Sequence, residues 1–394
     1  MIHIPEIDAE TAARLCRRLA ERLRADGDLR SAAWQVCVEG VPRHRFVPSF
    51  FHRDGDRWTP VTPERTGTAA WLELAYANES LVTLIDGHLR PEDADGPVTG
   101  SPSSSSTLPG LVVRMLEDLD VADGHQVLEI GTGTGYSTAL LCRRLGDGHV
   151  TSVEIDPGVA GRAATALRGL GHHPALVVGD GLAGVPANAP YDRLIATCSV
   201  RTVPRPWLEQ TRPGGVVLAT LQGRLAASGL ARLTVHGPAR AEGRFLPGTV
   251  SFMIARTDAP PELGDVSEVV AQPGQERETA VGADVCHDWT GNFVAQLGAP
   301  EIQWIGYSVD KGPYRDYFID PKTSSYALLL PGDDGTWRVR QGGPRRVWDG
   351  VEAAVETWRA AGSPGQTAFG LSVAPHGQYV WLTDPQGPRW ELTL

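Results

Sequence analysis

Five short segments hold residues whose types and spacing can do chemistry. Gly131-Thr-Gly-Thr-Gly135 lies between an apolar run, Val127-Leu-Glu-Ile130, and a stretch of helical composition from Ser137 to Leu145. A glycine turn between a buried strand and a helix lets backbone approach a ligand closely and aims unpaired helix N–H groups at it. Glu154 ends the next apolar run, where the ribose-binding carboxylate of a nucleoside site belongs. Asp180, in Gly179-Asp-Gly181 after a third run, is placed to accept from an adenine amino group. The turn lacks the spacing of dinucleotide sites and the Lys-Ser/Thr ending of a phosphate loop, so the set suits adenosine without pyrophosphate. S-adenosylmethionine fits that description. Gly131, Gly133, Gly135, Tyr136, Ser137, Glu154, Asp180 and Gly181 are the expected cofactor residues, with Glu129 and Asp156 flanking them. These two either orient the methionine portion or cap a helix.

Two more segments are polar enough to meet a substrate. Ser101-Pro-Ser-Ser-Ser-Ser-Thr-Leu-Pro109 runs directly into an apolar helix, so it reads either as a helix-capping linker or as a supply of hydroxyl donors. Arg43, His44, Arg45 and Val47 lie between Pro42 and Pro48, which favour extended backbone around them. The cations would draw a carboxylate into an acidic protein; the alternative is a solvated charged face. Cys286-His287-Asp288 is treated as structural, because adjacent residues seldom converge on one atom.

These residues need elements to position them. From Val127 onward, strand and helix patterns alternate through strands at 127–130, 150–155, 174–178, 192–197 and 216–220, which predicts a parallel, doubly wound α/β sheet. Ligands bind beyond the carboxyl ends of such strands, where the motifs all fall. Leu15, Leu19 and Leu23 recur at i, i+4, i+8 behind Asp8, predicting an N-terminal helical cap. Trp71 to Ile85 alternates apolar and polar residues. The expected divisions are 1–110 for the cap and substrate-contacting segment, 111–258 for the cofactor domain, 259–274 for a linker and 275–394 for an α+β accessory domain. In the last of these Pro331-Gly-Asp-Asp-Gly335 signals a hairpin, and seven of the chain's eleven tryptophans make either a core or a peptide groove.

Composition narrows the function classes. The 394 residues are 41% apolar, enough for two or three domains, and the net charge of -11 argues against holding nucleic acid by phosphate neutralisation. Five cysteines without a CxxC pair indicate neither a disulfide framework nor a zinc site, and no metal is expected. No run approaches the ~20 apolar residues of a bilayer span, and the start carries acidic residues where a secretory signal would be basic. A cytoplasmic protein without membrane or nucleic-acid partners is the expectation.

Taken in order, Arg43-His-Arg-Phe-Val-Pro48, Leu128 to Ser137, Val153-Glu-Ile-Asp156, Gly179-Asp-Gly181, Tyr191-Asp-Arg-Leu-Ile195 and Arg212-Pro-Gly-Gly215 resemble the successive motifs of protein-L-isoaspartate O-methyltransferases, over about residues 10 to 256. The resemblance implies a Rossmann-like class I methyltransferase that transfers methyl from S-adenosylmethionine to an altered aspartyl carboxylate in a peptide or protein. It also implies an active-site segment, glycine, threonine, serine and proline at alternate positions, which corresponds to Ser103 through Pro109. Ser105 then matches the threonine and Thr107 the carboxylate-holding serine, with Ser106 beside them, while Ser103 replaces the glycine. The extra length resembles longer homologues that accompany ribosomal peptide modification, whose target is an aspartate of a constrained, even macrocyclic, precursor and whose ester closes to aspartimide. General isoaspartate repair and a non-catalytic peptide-binding homologue are the rival readings.

Overall fold

Residues 5–308, 313–332 and 335–392 are described by the structure, a computed structural model. It divides into two compact units, Met1–Thr197 with Pro206–Leu218, and Cys198–Arg205 with Ala219–Leu394.

In the first unit Asp8 accepts from the Thr11 N–H and starts α1 (Ala9–Ala25), which buries Leu15, Leu19 and Leu23 as the sequence stripe requires. α2 (Ala32–Gly40) follows, capped by Ser31. β1 (Phe50–Asp54) and β2 (Arg57–Val61) form a hairpin, then come α3 (Pro63–Thr66) and α4 (Thr68–Ala75). The alternation read from Trp71 to Ile85 therefore divides. Alanine and leucine at 69, 70, 72, 74 and 75 favour helix, and only Leu81–Ile85 is strand, β3.

The serine tract is the second departure. Pro102–Ser106 forms β4, which pairs antiparallel with β3 (Leu81 opposite Ser106, Val82 opposite Ser105) at the edge of a sheet ordered β2–β1–β3–β4. It does not cap the helix that follows. α5 (Pro109–Leu119) starts at Leu108 without a side-chain cap, using Pro109 in its first turn.

The parallel sheet is built from β5 (Val127–Ile130), α6 (Tyr136–Leu145), β6 (Val150–Glu154), α7 (Pro157–Arg168), β7 (Ala175–Val178), β8 (Tyr191–Val200), α8 (Arg205–Gln210) and β9 (Thr211–Gln222), in strand order β9–β8–β5–β6–β7. β5 pairs parallel with both β6 and β8, and every residue of β5 and β6 is buried. That burial takes in Glu129, Thr151, Ser152 and Glu154 as well as Val127, Leu128, Ile130, Val150 and Val153. The order reverses at β5, so the crevice at its carboxyl end is the expected ligand position.

The second unit contains β10 (Ser228–Gly237), β11 (Arg240–Phe245), α9 (Val266–Val270), β12 (Gly274–Thr279), α10 (Trp289–Gly298), β13 (Gln303–Tyr307), β14 (Arg315–Asp320), β15 (Ser325–Pro331), β16 (Trp337–Gly342), α11 (Val347–Ala360), β17 (Phe369–Ala374), β18 (Gly377–Leu382) and β19 (Arg389–Leu392). Its strands run β10–β11–β17–β18–β19 and β12–β16–β15–β14–β13. The division at 219 differs from the boundary expected at 258. β11 pairs with β17, Ala241 opposite Val373 and Arg244 opposite Gly370, and β10 pairs with β11, so these strands are joined to the C-terminal ones through residues 241–244. Nor is 259–274 only a linker, since Val269 and Val270 of α9 pack with Tyr317, Ile319, Tyr326 and Leu328. β15 and β16 form the expected hairpin, although Asp333 and Asp334 of its turn lie outside the described residues. Trp348, Trp358 and Trp381 are buried, with the Trp348 Nε1–H donating to the Val281 carbonyl, so these three belong to the core. Cys286 is buried and Asp288 caps α10, as a structural reading requires. No helix of the described residues is long and apolar enough to cross a membrane.

Candidate functional site

The turn after β5 carries Gly131, Gly133 and Gly135 at φ 92°, 54° and 90°, values that favour glycine. At Gly131 space forbids a side chain as well: a Cβ there would lie 2.7 Å from Thr197 Oγ1. Thr197, at the carboxyl side of β8, donates to the Ile130 and Gly131 carbonyls at 3.1 and 2.6 Å. Sequence reading missed this residue, whose only signal was a hydroxyl ending an apolar run. The N–H groups of Gly131 and Thr132 go to the Val153 carbonyl, that of Gly133 to Glu154 and that of Gly135 to the Thr132 carbonyl. With these donors spent, the turn is no phosphate cradle, which agrees with a ligand lacking pyrophosphate.

Glu154 ends β6, almost buried. Its Oε2 accepts from the Gly133 N–H at 2.9 Å and its Oε1 from the Asp156 N–H at 3.1 Å. An ionised carboxylate has about four acceptor sites, so one on each oxygen remains for a vicinal diol. Asp180 is exposed beyond β7, with Oδ1 taken by the Leu182 N–H. Gly181 leaves no room for a side chain, since a Cβ would lie 2.5 Å from Ile130 Cγ2, and its carbonyl accepts from Trp207 Nε1. Ile155, next to Glu154, stays 37% exposed, an apolar surface suited to a purine. Glycine cradle, carboxylate and exposed apolar side chain together fit S-adenosylmethionine.

Glu129, Tyr136 and Ser137, expected at the cofactor, are buried within the fold. Glu129 is fully buried and accepts from the hydroxyls of Ser137, Thr138 and Ser152, so it ties β5 to α6 and β6; burial pushes its carboxyl up while those hydroxyls pull it down. Ser137 is spent on that bond. Tyr136 is 2% exposed, packed edge-on against Phe46. Asp156 caps α7, accepting from the Gly158 and Val159 N–H groups.

β4 runs beside the turn: a Cβ built on Gly133 would lie 3.6 Å from the Ser105 carbonyl oxygen. Two hydroxyls of the tract are committed to structure. Ser103 Oγ accepts from the Gly87 N–H and Ser104 Oγ from the Thr83 hydroxyl. Those of Ser105, Ser106 and Thr107 hold no partner among the described residues.

Of the basic cluster, Arg43 and His44 are buried and only Arg45 reaches partly to the surface. Arg43 is fully buried, with its guanidinium on the carbonyls of Ala75, Ala77, Glu79 and Thr107. Val47 is buried and its carbonyl accepts from Trp71 Nε1, while Arg45 is half-buried near Gly169. His44 is buried between Tyr76 and Trp71, with Nδ1 2.8 Å from the Tyr76 hydroxyl. Burial, aided by neighbouring Arg45, lowers its pKa to about 4. The unfolded value is near 6.5, so folding keeps the ring neutral: stability is complete above about 6.5 and falls as pH drops through 4, by up to about 3 kcal/mol. Urea unfolding of the protein and of His44→Gln at pH 7 and pH 5 checks this. The variant should show the smaller pH dependence, and equal slopes would contradict the assignment.

Comparison with known proteins now adds identity. A family model described as Protein-L-isoaspartate(D-aspartate) O-methyltransferase (PCMT) matches residues 93–231. The chain is 32% identical over 200 residues to protein-L-isoaspartate O-methyltransferase 2 of Archaeoglobus fulgidus, covering 50% of this chain and 74% of that one. It is 32% identical over 220 residues to the protein-L-isoaspartate O-methyltransferase of Methanopyrus kandleri, covering 55% and 81%. The chain belongs to the protein-L-isoaspartate O-methyltransferase family. It is a carboxyl methyltransferase of the class I fold, its methyl donor is S-adenosylmethionine and its acceptors are proteins or peptides. A solved structure titled protein-L-isoaspartate O-methyltransferase, 21% identical with a TM-score of 0.54, covers 94% of this chain and all of its own, and shares the fold.

Proposed function

We propose that this methyltransferase esterifies an aspartyl or isoaspartyl carboxylate of a modified ribosomal precursor peptide, and that Ser105, Ser106 and Thr107 hold that carboxylate. The carrying observation is a pair of facts: β4 borders the glycine turn, and the hydroxyls of Ser105, of the buried Ser106 and of Thr107 just beyond the strand are uncommitted, Ser105 and Thr107 being the more accessible. Glu154 and Asp180 are assigned to the ribose and adenine. When bound, S-adenosylmethionine supplies a sulfonium methyl group that a carboxylate oxygen displaces from sulfur. An acceptor with a pKa of about 4 is ionised at neutral pH, so no side chain has to remove a proton. The chain's work is to fix the oxygen in line and keep water from it. The ester offers methoxide, a better leaving group than the oxide of a carboxylate, so the neighbouring backbone nitrogen gives up its proton, attacks the ester carbonyl and expels methanol to close the aspartimide.

Thr107→Ala should lower kcat/KM about 10- to 150-fold, the equivalent of one hydrogen bond to a charged group of about 1.5–3 kcal/mol. Steady-state methylation of an acceptor peptide measures it, and unchanged turnover would remove Thr107 from the carboxylate.

Acceptor class is argued from the tract, where serine replaces the glycine at Ser103 and threonine stands at Thr107, and from the half of the chain that the sequence relatives leave unaligned. General repair of isoaspartyl proteins is the second reading. One observation favours it: the fold shared over 94% of the chain means that the second unit is not peculiar to this protein. Offering linear isoaspartyl peptides and a cyclised precursor side by side separates them, since efficient methylation of many unrelated linear peptides would establish repair. We assign the reaction to the cytoplasm, where the five free cysteines stay reduced.

A further inference from the structure

Cys142, Asp147 and His172 come from three separate segments of the first unit: α6, the turn after it, and the loop between α7 and β7. Their ligand atoms, Sγ, a carboxylate oxygen and a ring nitrogen, all lie within 4.8 Å of one another. For any such triangle a point exists within roughly 2.8 Å of all three atoms, so contraction by about 0.5–0.8 Å gives the bond lengths of ~2.0–2.3 Å that zinc makes to these donors. We propose that this cluster is a transition-metal site for Zn²⁺ or Co²⁺, with three protein ligands and a water completing the tetrahedron.

Several features of the cluster support coordination. A thiolate, an imidazole and one carboxylate form a soft to borderline set that selects zinc or cobalt over magnesium or calcium. His172 Nδ1 already lies 2.9 Å from Asp147 Oδ1, close to the spacing of two neighbouring tetrahedral ligands, and the second carboxylate oxygen is fixed by the His173 N–H at 2.6 Å. Cys142 is buried, whereas the side chains of His172 and Asp147 are 19% and 28% exposed, so the cluster is open to solvent on the side of these two. Without metal the same groups form a closed network, the ring N–H donating to Asp147 and the thiol facing that carboxylate. On binding, the Cys142 thiol gives up its proton to solvent, and His172 Nδ1 exchanges its hydrogen bond to Asp147 for the ion.

Cys142 lies six residues beyond Tyr136, about 9 Å along the helix from the glycine turn at 1.5 Å per residue, so the ion would clamp α6 to the loop before β7 rather than touch a reacting group. The test titrates the chelator-treated full chain with Co²⁺, following thiolate-to-cobalt charge-transfer absorption and proton release in weak buffer. Equilibrium dialysis against Zn²⁺ counts the ions. One ion per chain, proton release on binding, a charge-transfer band that disappears in Cys142→Ser and binding weakened at least tenfold in His172→Ala are expected. Absence of the band and of zinc retention in the unaltered protein overturns the proposal without any variant having to fold. Binding that persists undiminished in both variants overturns it too, by placing the ion elsewhere.

Discussion

Glu154→Ala is expected to raise the dissociation constant for S-adenosylhomocysteine at least about 100-fold. Hydrogen bonds to a charged group contribute about 1.5–3 kcal/mol each, and the side chain has one free acceptor site on each oxygen for the two ribose hydroxyls. Two such bonds amount to about 3–6 kcal/mol, where each 1.4 kcal/mol is tenfold. Removal also strips the Gly133 and Asp156 N–H groups of their acceptor and so loosens the turn that the ligand must lie against. Glu154→Gln separates the two contributions. Its remaining amide oxygen can serve one of those N–H groups, so the turn should be better preserved while the charge assistance is gone, and affinity should fall between the alanine variant and the parent. Calorimetric titration at fixed ionic strength reads all three. A change below about threefold in Glu154→Ala, with the fold intact by circular dichroism, would mean that the ribose lies elsewhere.

Why the position of Glu154 at a strand end was legible in the sequence and the burial of Arg43 was not is a matter of where the deciding contacts lie. β5 and β6 are short segments built around Val127, Leu128, Ile130, Val150 and Val153 and bounded by turn residues, so the alternation of strand, turn and helix is readable and the residue ending each strand takes its place from sheet topology. Asp180 and the glycine turn follow from the same rule. Depth is another matter. Glu129 and Ser137 have the residue types of ligand contacts, but they face each other across the strand-to-helix junction, and nothing in their spacing tells a carboxylate that meets a ligand from one that meets three hydroxyls. The serine tract was legible as chemistry and not as structure. Serine is no strong strand former, and β4 exists because β3, twenty residues earlier, offers it a ladder. The division at 219 was hidden for the same reason on a larger scale, since the strands that claim residues 241–244 lie at 370–373.

Arg43→Lys is expected to destabilise the protein by about 2–4 kcal/mol, in contrast with the small effect of altering an exposed cation that attracts substrate. The guanidinium is fully buried, and burial lowers its pKa to about 10, so it is still charged at neutral pH. Its terminal nitrogens stitch carbonyls that lie 32, 34, 36 and 64 residues away in sequence. A planar fork of five donors can serve four acceptors at once, whereas an ammonium with three donors leaves at least one buried carbonyl unpaired, at about 1–3 kcal/mol for each such group, and is itself more strongly hydrated. The consequence reaches the hydroxyl tract by two routes. One bond ends on the Thr107 carbonyl itself. The others hold the segment 75–79, next to Ser80, whose hydroxyl accepts from the Leu108 N–H, and containing Asn78, which accepts from Gly110 N–H. Both ends of the bend from β4 into α5 therefore rest on one guanidinium. Loosening it should lower kcat, because Thr107 is no longer held in line, while KM for the peptide changes little. A residue that attracts the carboxylate would do the reverse. Urea unfolding and steady-state kinetics on the same preparation decide between them: a stability loss under about 1 kcal/mol together with a raised KM would return Arg43 to the substrate-binding surface.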